Sequence, residues 1–288
     1  MNDPSISAII DRIEAAVGRR PRSLTRLTGG CIADVYRASF PDGADLVAKA
    51  AGPEGALDVE AFMLGLLADR SRLPVPAVIH AAPDLLIMER VEGRSSFDDA
   101  SERHAAELLA DLHEVHGPSF GLERDTLIGS LPQRNTVCSS WVGFFRDHRL
   151  TAMADAAAST GGIGPGTRRR IGTLAARLTD LIDEPACPSL LHGDVWTGNV
   201  LANSGRIAAF LDPAVYYGHS EIELAFITLF STFGRPFFER YSQLRPIRPG
   251  FFESRRHVYN LYPLLVHARL FGGHYGEQVS DTLDRIGF

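Results

Sequence analysis

The sequence predicts an α+β chain of two lobes. A small amino-terminal lobe carries a five-stranded antiparallel sheet and one main helix, and a larger carboxy-terminal lobe is mostly helical. Three observations predict this. Strand-like alternation punctuated by turn residues fills residues 24–89. Helical periodicity takes over after Val91-Glu92-Gly93. The later part then shows one clear hairpin, residues 200–211, turning at Asn203-Ser204-Gly205. With 288 residues, 45% of them hydrophobic and 22% charged, the chain is long enough to bury a full core.

The elements follow in order. Ile6, Ile9, Ile10, Ile13 and Val17 recur at helical spacing behind Ser5, a suitable N-cap. Asp11, Arg12 and Glu14 lie between them, so this segment does not read as a signal peptide. Strands are expected over 24–28, 32–40 and 45–50, turning at Gly29-Gly30 and at Pro41-Asp42-Gly43. A helix bearing Leu57, Phe62, Leu66 and Leu67 comes next, then strands over 75–80 and 85–89. The lobes are therefore 1–90 and 91–288, joined at a hinge about residues 89–94. In the second lobe, helices are expected over 101–116, 140–157, 167–183, 221–233, 236–244 and 251–271. The Gly/Ser-rich stretch 159–166 reads as a mobile surface loop.

Composition narrows the function. The net charge is -6 and no long basic block stands out, so nucleic acid is not an expected partner. No apolar run approaches the ~20 residues that span a bilayer, so no membrane partner is expected either. The three cysteines, Cys31, Cys138 and Cys187, are odd in number and far apart. That fits neither a disulfide framework nor a metal site, and a reducing cytoplasm is the expected location.

The chemistry is concentrated in His192-Gly193-Asp194-Val195-Trp196-Thr197-Gly198-Asn199 and in Asp212. Phosphoryl transfer from ATP needs positioning and charge neutralisation more than covalent chemistry. Asp194 is placed to take or orient the proton of an attacking hydroxyl. Asn199, five residues on, and Asp212, at the far end of the hairpin, offer hard oxygens suited to Mg2+. A hairpin returns its end near its start, so the three side chains can converge. The alternative is that the Asp and Asn serve only as turn formers. Lys49 sits in an apolar strand and needs a partner, which Glu60 on the next helix can supply. Such a pair holds the α- and β-phosphates of ATP in kinases. Gly29, Gly30 and Cys31 form a turn whose backbone N–H groups can approach phosphates. Met88, Glu89 and Val91, on the strand leaving the small lobe, are placed to meet adenine. On the acceptor side the candidates are Asp194, Trp196, Tyr217, His219 and Glu221, with Trp196 either stacking on substrate or simply packing. Tyr216, Gln133 and Asn135 are further candidates for the cleft. His192 is expected to brace the loop.

These residues resemble the fructosamine kinase (ketosamine 3-kinase) family, a branch of the protein-kinase-like fold shared with aminoglycoside phosphotransferases and choline kinases. The resemblance runs over nearly the whole chain. It includes Gly29-Gly30-Cys31-Ile32, Leu131-Pro132-Gln133-Arg134-Asn135, Trp141 with Phe144-Phe145 and Arg149-Leu150, and Ser189-Leu190-Leu191-His192-Gly193-Asp194. It continues through Asp212-Pro213-Ala214, Tyr216-Tyr217-Gly218-His219, Glu221, Glu223-Leu224-Ala225, Tyr259, Tyr262 and His267. Val195, Thr197 and Ser220 depart from the usual pattern and leave the acidic and metal positions intact. The resemblance implies ATP- and Mg2+-dependent phosphorylation of the 3-hydroxyl of a small-molecule or protein-bound ketosamine, whose unstable product releases the free amine. A monomer or weak dimer is expected. The alternatives are another small-molecule kinase of this fold, of aminoglycoside or choline type, and a nucleotide-binding pseudokinase scaffold.

Overall fold

Helix α1 (Pro4–Val17) turns Ile9 and Ile13, one turn apart, onto a sheet built from β1 (Ser23–Arg26), β2 (Asp34–Ser39), β3 (Asp45–Ala50), β4 (Val78–Ala82) and β5 (Leu85–Glu89). A computed structural model describes residues 4–27, 33–52 and 54–288. The strands run in the order β1-β2-β3-β5-β4, every pair antiparallel, as the alternation predicts. Strand β5 is buried from both sides. Leu85 and Ile87 face the cluster that holds α1, while Leu86 and Met88 face α2 (Leu57–Arg70). Its unbroken apolar run is what such a strand requires. Strand β4 begins at Val78 rather than at residue 75, because Pro74 and Pro76 have no N–H to give a ladder.

The lobes share packing. Met63 and Leu67 of α2, with Leu73, join the large cluster that contains Leu109, Phe120 and Phe210. The helix that carries Glu60 is therefore fixed to the lobe that carries Asp194.

In the larger lobe, α3 (Asp99–His113) starts before the expected residue 101. Asp98 caps it by accepting from the Ser101 amide, and Ser101 Oγ accepts from the Asp98 amide, each at 2.8 Å. Two short antiparallel pairs were not anticipated: β6 (Thr126–Ile128) with β7 (Leu131–Gln133), and β8 (Ser189–Leu191) with β11 (Tyr216–Gly218). Three residues are too few to show a period. The expected hairpin is present as β9 (Val200–Asn203) and β10 (Arg206–Phe210).

Helices α4 (Trp141–Phe144) and α5 (Ala152–Ser159) are joined by a π-helical turn over Phe145–Thr151. Helix α6 (Pro165–Ala175) stops short of residue 183. Asp180, Asp183 and Glu184 would crowd the negative end of a longer helix. The stretch before α6 is a packed turn rather than a mobile loop. Gly162 donates to the Ala157 carbonyl at 2.8 Å, and a side chain on Gly162 would meet the Ala268 carbonyl at 2.3 Å. After α7 (Ser220–Leu229) and α8 (Arg235–Leu244), a second π-helical turn, Phe251–Arg255, leads into α9 (Arg256–Phe271). A last helix, α10 (His274–Arg285), was not anticipated. Gly272 and Gly273, with φ of 62° and 58°, interrupt the periodicity, and α10 then buries Val279 and Leu283 one turn apart.

Candidate active site

Strand β8 delivers the His192-Gly193-Asp194 loop into the space between the lobes. Gly193 has φ of 88°, and a Cβ there would lie 2.1 Å from the Ala214 carbonyl oxygen, so only glycine fits. That close approach is held by the Ala214 amide, which donates to the His192 carbonyl at 2.8 Å. One end of the β9–β10 hairpin is closed by the Leu211 amide donating to the Asn199 carbonyl at 2.8 Å. The convergence inferred from the hairpin therefore occurs. Asn199 Nδ2 donates to Asp194 Oδ2 at 2.8 Å and to the Asp194 carbonyl at 3.1 Å. Asp212 stands next to Leu211 in a left-handed conformation (φ 51°), which is strained for a residue with a side chain.

Lys49 reaches across from β3. Its Nζ lies 2.7 Å from Glu60 Oε1 and 2.5 Å from Asp212 Oδ1. Lys49 and Glu60 are each 8% exposed, so the predicted pairing is made inside the protein. Burial opposes the ammonium charge, but Asp212 and Glu60 together outweigh it and hold Lys49 above the ordinary lysine range. Burial pushes the Glu60 carboxyl up, with Lys49 opposing. Asp194 opens onto two cavities and is otherwise enclosed by protein. This desolvation pushes its carboxyl up to about 8; the charge of Asp212 adds to the shift and the Asn199 hydrogen bond opposes it.

A buried brace stands behind the loop. Glu223 Oε1 accepts from the Gly193 amide at 2.6 Å and Oε2 from the His192 amide at 3.4 Å. Oε2 also lies 2.9 Å from His113 Nε2, and His113 Nδ1 is 2.7 Å from the Tyr241 hydroxyl. Burial alone would raise the Glu223 carboxyl, but these partners, His113 first, hold it below its usual range. His192 is fully buried, and its Nδ1 accepts from the Asp194 amide at 3.3 Å, which fits a bracing residue.

Two cavities meet at Asp194, Trp196 and Gly129. The larger, about 840 Å³, is lined by Lys49, Glu60, Met88, Glu89, Val91, Asn199 and Asp212. The smaller, about 440 Å³, is walled largely by rings, among them Tyr216, Phe226, Phe230, Tyr262 and Phe271.

Not every expected site residue is described or lines a cavity. Gly29, Gly30 and Cys31 fall outside the described residues. Tyr217, His219 and Glu221 line neither cavity, which corrects the substrate assignment. Strand alternation explains Tyr217: Tyr216 faces the cavity, and Tyr217 turns the other way, against Gly117. His219 caps α7, its Nδ1 accepting from the Glu221 amide at 3.1 Å. Glu221 is buried in a two-pronged pair with Arg255, at 2.6 and 2.7 Å. Gln133 and Asn135 are buried under the cleft, where Gln133 accepts from the Tyr262 hydroxyl and Asn135 from Arg149. The Glu89 amide donates to the Ala77 carbonyl at 2.9 Å, so it is not free for adenine. Phe226, Phe230 and Phe271 were missed. Their signal was present as one-turn spacing: Phe226 with Phe230, and Pro263, His267 and Phe271 along α9.

A β-rich lobe and a helical lobe, with a carboxylate between a charged cavity and an apolar one, define a kinase-fold phosphotransferase that acts on hydroxyl groups. The fold is shared with the crystallised aminoglycoside phosphotransferase APH(4)-Ia, at a TM-score of 0.68 and 17% identity over 98% of this chain and 99% of that one, a likeness of fold alone. The fructosamine kinase family model matches residues 5–287, and the chain belongs to that family. A crystallised Thermobifida fusca protein provisionally named fructosamine-3-kinase superposes with a TM-score of 0.86 at 31% identity, over 98% of this chain and 99% of that one. A probable ketoamine kinase of Synechocystis is 35% identical over 231 residues, 78% of this chain and 76% of that protein. The chloroplastic protein-ribulosamine 3-kinase of Oryza sativa subsp. japonica is 32% identical over 275 residues, 91% of this chain and 78% of that protein.

Proposed function

We propose that this protein transfers the γ-phosphoryl group of ATP, with Mg2+, to the 3-hydroxyl of a ketosamine. The observation that carries the reading is the position of Asp194, which lines both the charged cavity and the aromatic one. The names of its relatives, ketoamine kinase and ribulosamine 3-kinase, support the acceptor class.

In this reading ATP occupies the larger cavity. Lys49, held by Glu60, meets the phosphates, and Val91 and its neighbours meet adenine. Asn199 and Asp212 fit Mg2+. The amide nitrogen of Asn199 is engaged by Asp194, which leaves its oxygen as a donor, and the Asp212 carboxylate stands at the cavity wall. Magnesium is commonly held by one or two carboxylates together with substrate phosphates, and when bound it neutralises charge developing on them. Asp194 accepts or orients the hydroxyl proton as the acceptor oxygen attacks. Glu223 keeps the loop in place through the Gly193 amide. The product releases the free amine, so the reaction reverses glycation. A cytoplasmic location belongs to the same proposal. Among the described residues no helix is long and apolar enough to cross a membrane.

The test is a coupled assay with ATP and Mg2+ against ribulosyl-, erythrulosyl- and fructosyl-amines, beside an aminoglycoside and choline. Ketosamine turnover with product NMR placing phosphate on the 3-hydroxyl is expected. Turnover of an aminoglycoside or choline alone would overturn the reading. ATP binding with no transfer to any acceptor would favour a scaffold instead.

A further inference from the structure

We propose that the acceptor cavity selects ketosamines whose amine bears an apolar, above all aromatic, substituent over those built on a free amino acid. This rests on the ketosamine reading above and names the part of the substrate that lies beyond the sugar.

The cavity's walls carry the inference. Helix α7 and its cap contribute Ile222, Phe226 and Phe230, and α9 contributes Tyr262, Val266 and Leu270 at one-turn spacing. The charged groups there are already engaged, and the polar atoms left over, the Tyr275 hydroxyl, Trp196 Nε1 and His267 Nε2, belong to rings. Glu223 is held by His113 and the Gly193 amide. The Tyr262 hydroxyl donates to Gln133 Oε1 at 2.8 Å. His267 Nδ1 is bonded to the Pro263 carbonyl at 2.8 Å, and burial lowers its pKa, which disfavours a charge on the ring. Asp194 is required by the acceptor hydroxyl. Among the described residues that line this cavity there is no Lys or Arg, and the only carboxylates are Asp194 and Glu223.

A free lysine adduct would bring an α-ammonium and a carboxylate towards these walls, and both would lose water without gaining a free partner of opposite charge. An aromatic substituent loses only apolar hydration and gains ring contacts. The cationic nitrogen that every ketosamine carries can lie against the faces of Trp196 and Phe230. The apolar surface continues outward, because Trp196 and Phe271 are 41% and 55% exposed at the same cavity. About 440 Å³ accommodates a sugar and one ring.

The test compares kcat/KM for the benzylamine and Nε-lysine adducts of one ketose, with the sugar held constant. The benzylamine adduct should be preferred by at least about tenfold, mostly through KM. Phe230→Ala, or Phe230→Leu if the alanine variant folds poorly, should bring that ratio down towards one. Equal kcat/KM for the two adducts, a preference for the lysine adduct, or an unchanged ratio in the Phe230 variant overturns this inference and leaves the ketosamine reading standing. Turnover of neither adduct, with phosphate passed to another alcohol, overturns both.

Discussion

On the side of the cleft proposed for the nucleotide the polar side chains contact one another: Lys49 bridges Glu60 and Asp212, and Asn199 holds Asp194. On the side proposed for the acceptor the cavity is walled largely by rings, and Glu223 and the Tyr262 hydroxyl are bonded into the protein behind it. The difference follows the chemistry asked of each side. Phosphates carry charge that needs fixed counter-charges at short range, and those must be particular residue types at particular places. An apolar acceptor surface needs only shape and the exclusion of water, which many residue types supply.

Asp194→Asn gives the largest expected effect, because Asp194 belongs to both sides. It should lower kcat by roughly 10²–10⁴-fold, the range of a lost general base, while nucleotide affinity measured by calorimetry stays within a fewfold. Loss of nucleotide affinity with unchanged kcat would place Asp194 on the nucleotide side alone.

Glu221→Ala should act on stability instead of on the acceptor. Removing one partner of the buried pair with Arg255 should cost about 3–5 kcal/mol, read as a lower denaturation midpoint. The KM for ketosamine of the folded fraction should not change. A raised KM with unchanged stability would restore Glu221 to the acceptor wall.

Trp196 stands between the two cavities. Trp196→Ala should raise the ketosamine KM by roughly tenfold, the loss of a ring contact, and leave the KM for ATP nearly unchanged. Equal rises in both would make Trp196 a packing residue of the loop.

Tyr217→Phe should change neither KM nor kcat by more than about twofold, because it removes only a hydroxyl on the face turned away from both cavities. A larger loss of acceptor affinity would mean that β11 presents its other face to substrate.

These outcomes match how legible each side was. That Lys49, Glu60, Asn199 and Asp212 come together at one cavity was legible, because a charge in an apolar strand and a fixed spacing along a hairpin are local patterns. Tyr217, His219 and Glu221, placed by proximity to Asp212 along the chain and not by their partners in the fold, line neither cavity. Strand alternation, a helix cap and an ion pair with a residue of the Phe251–Arg255 turn sent all three elsewhere. Glu223 stood in the sequence as part of the family resemblance, and its partner His113 lies 110 residues away.

By itself the sequence determined the five-stranded sheet, the α2 helix, the β9–β10 hairpin and the polar residues that converge beside it. Each depends on alternation, periodicity or spacing within a few tens of residues. Only the tertiary structure decided which rings wall the smaller cavity, where α10 closes against α6 and α9, and that Glu221 faces Arg255. The physical reason is that apolar contacts are non-directional. Any ring can face any other, so the partner is chosen by how helices distant in sequence pack and not by the residues themselves.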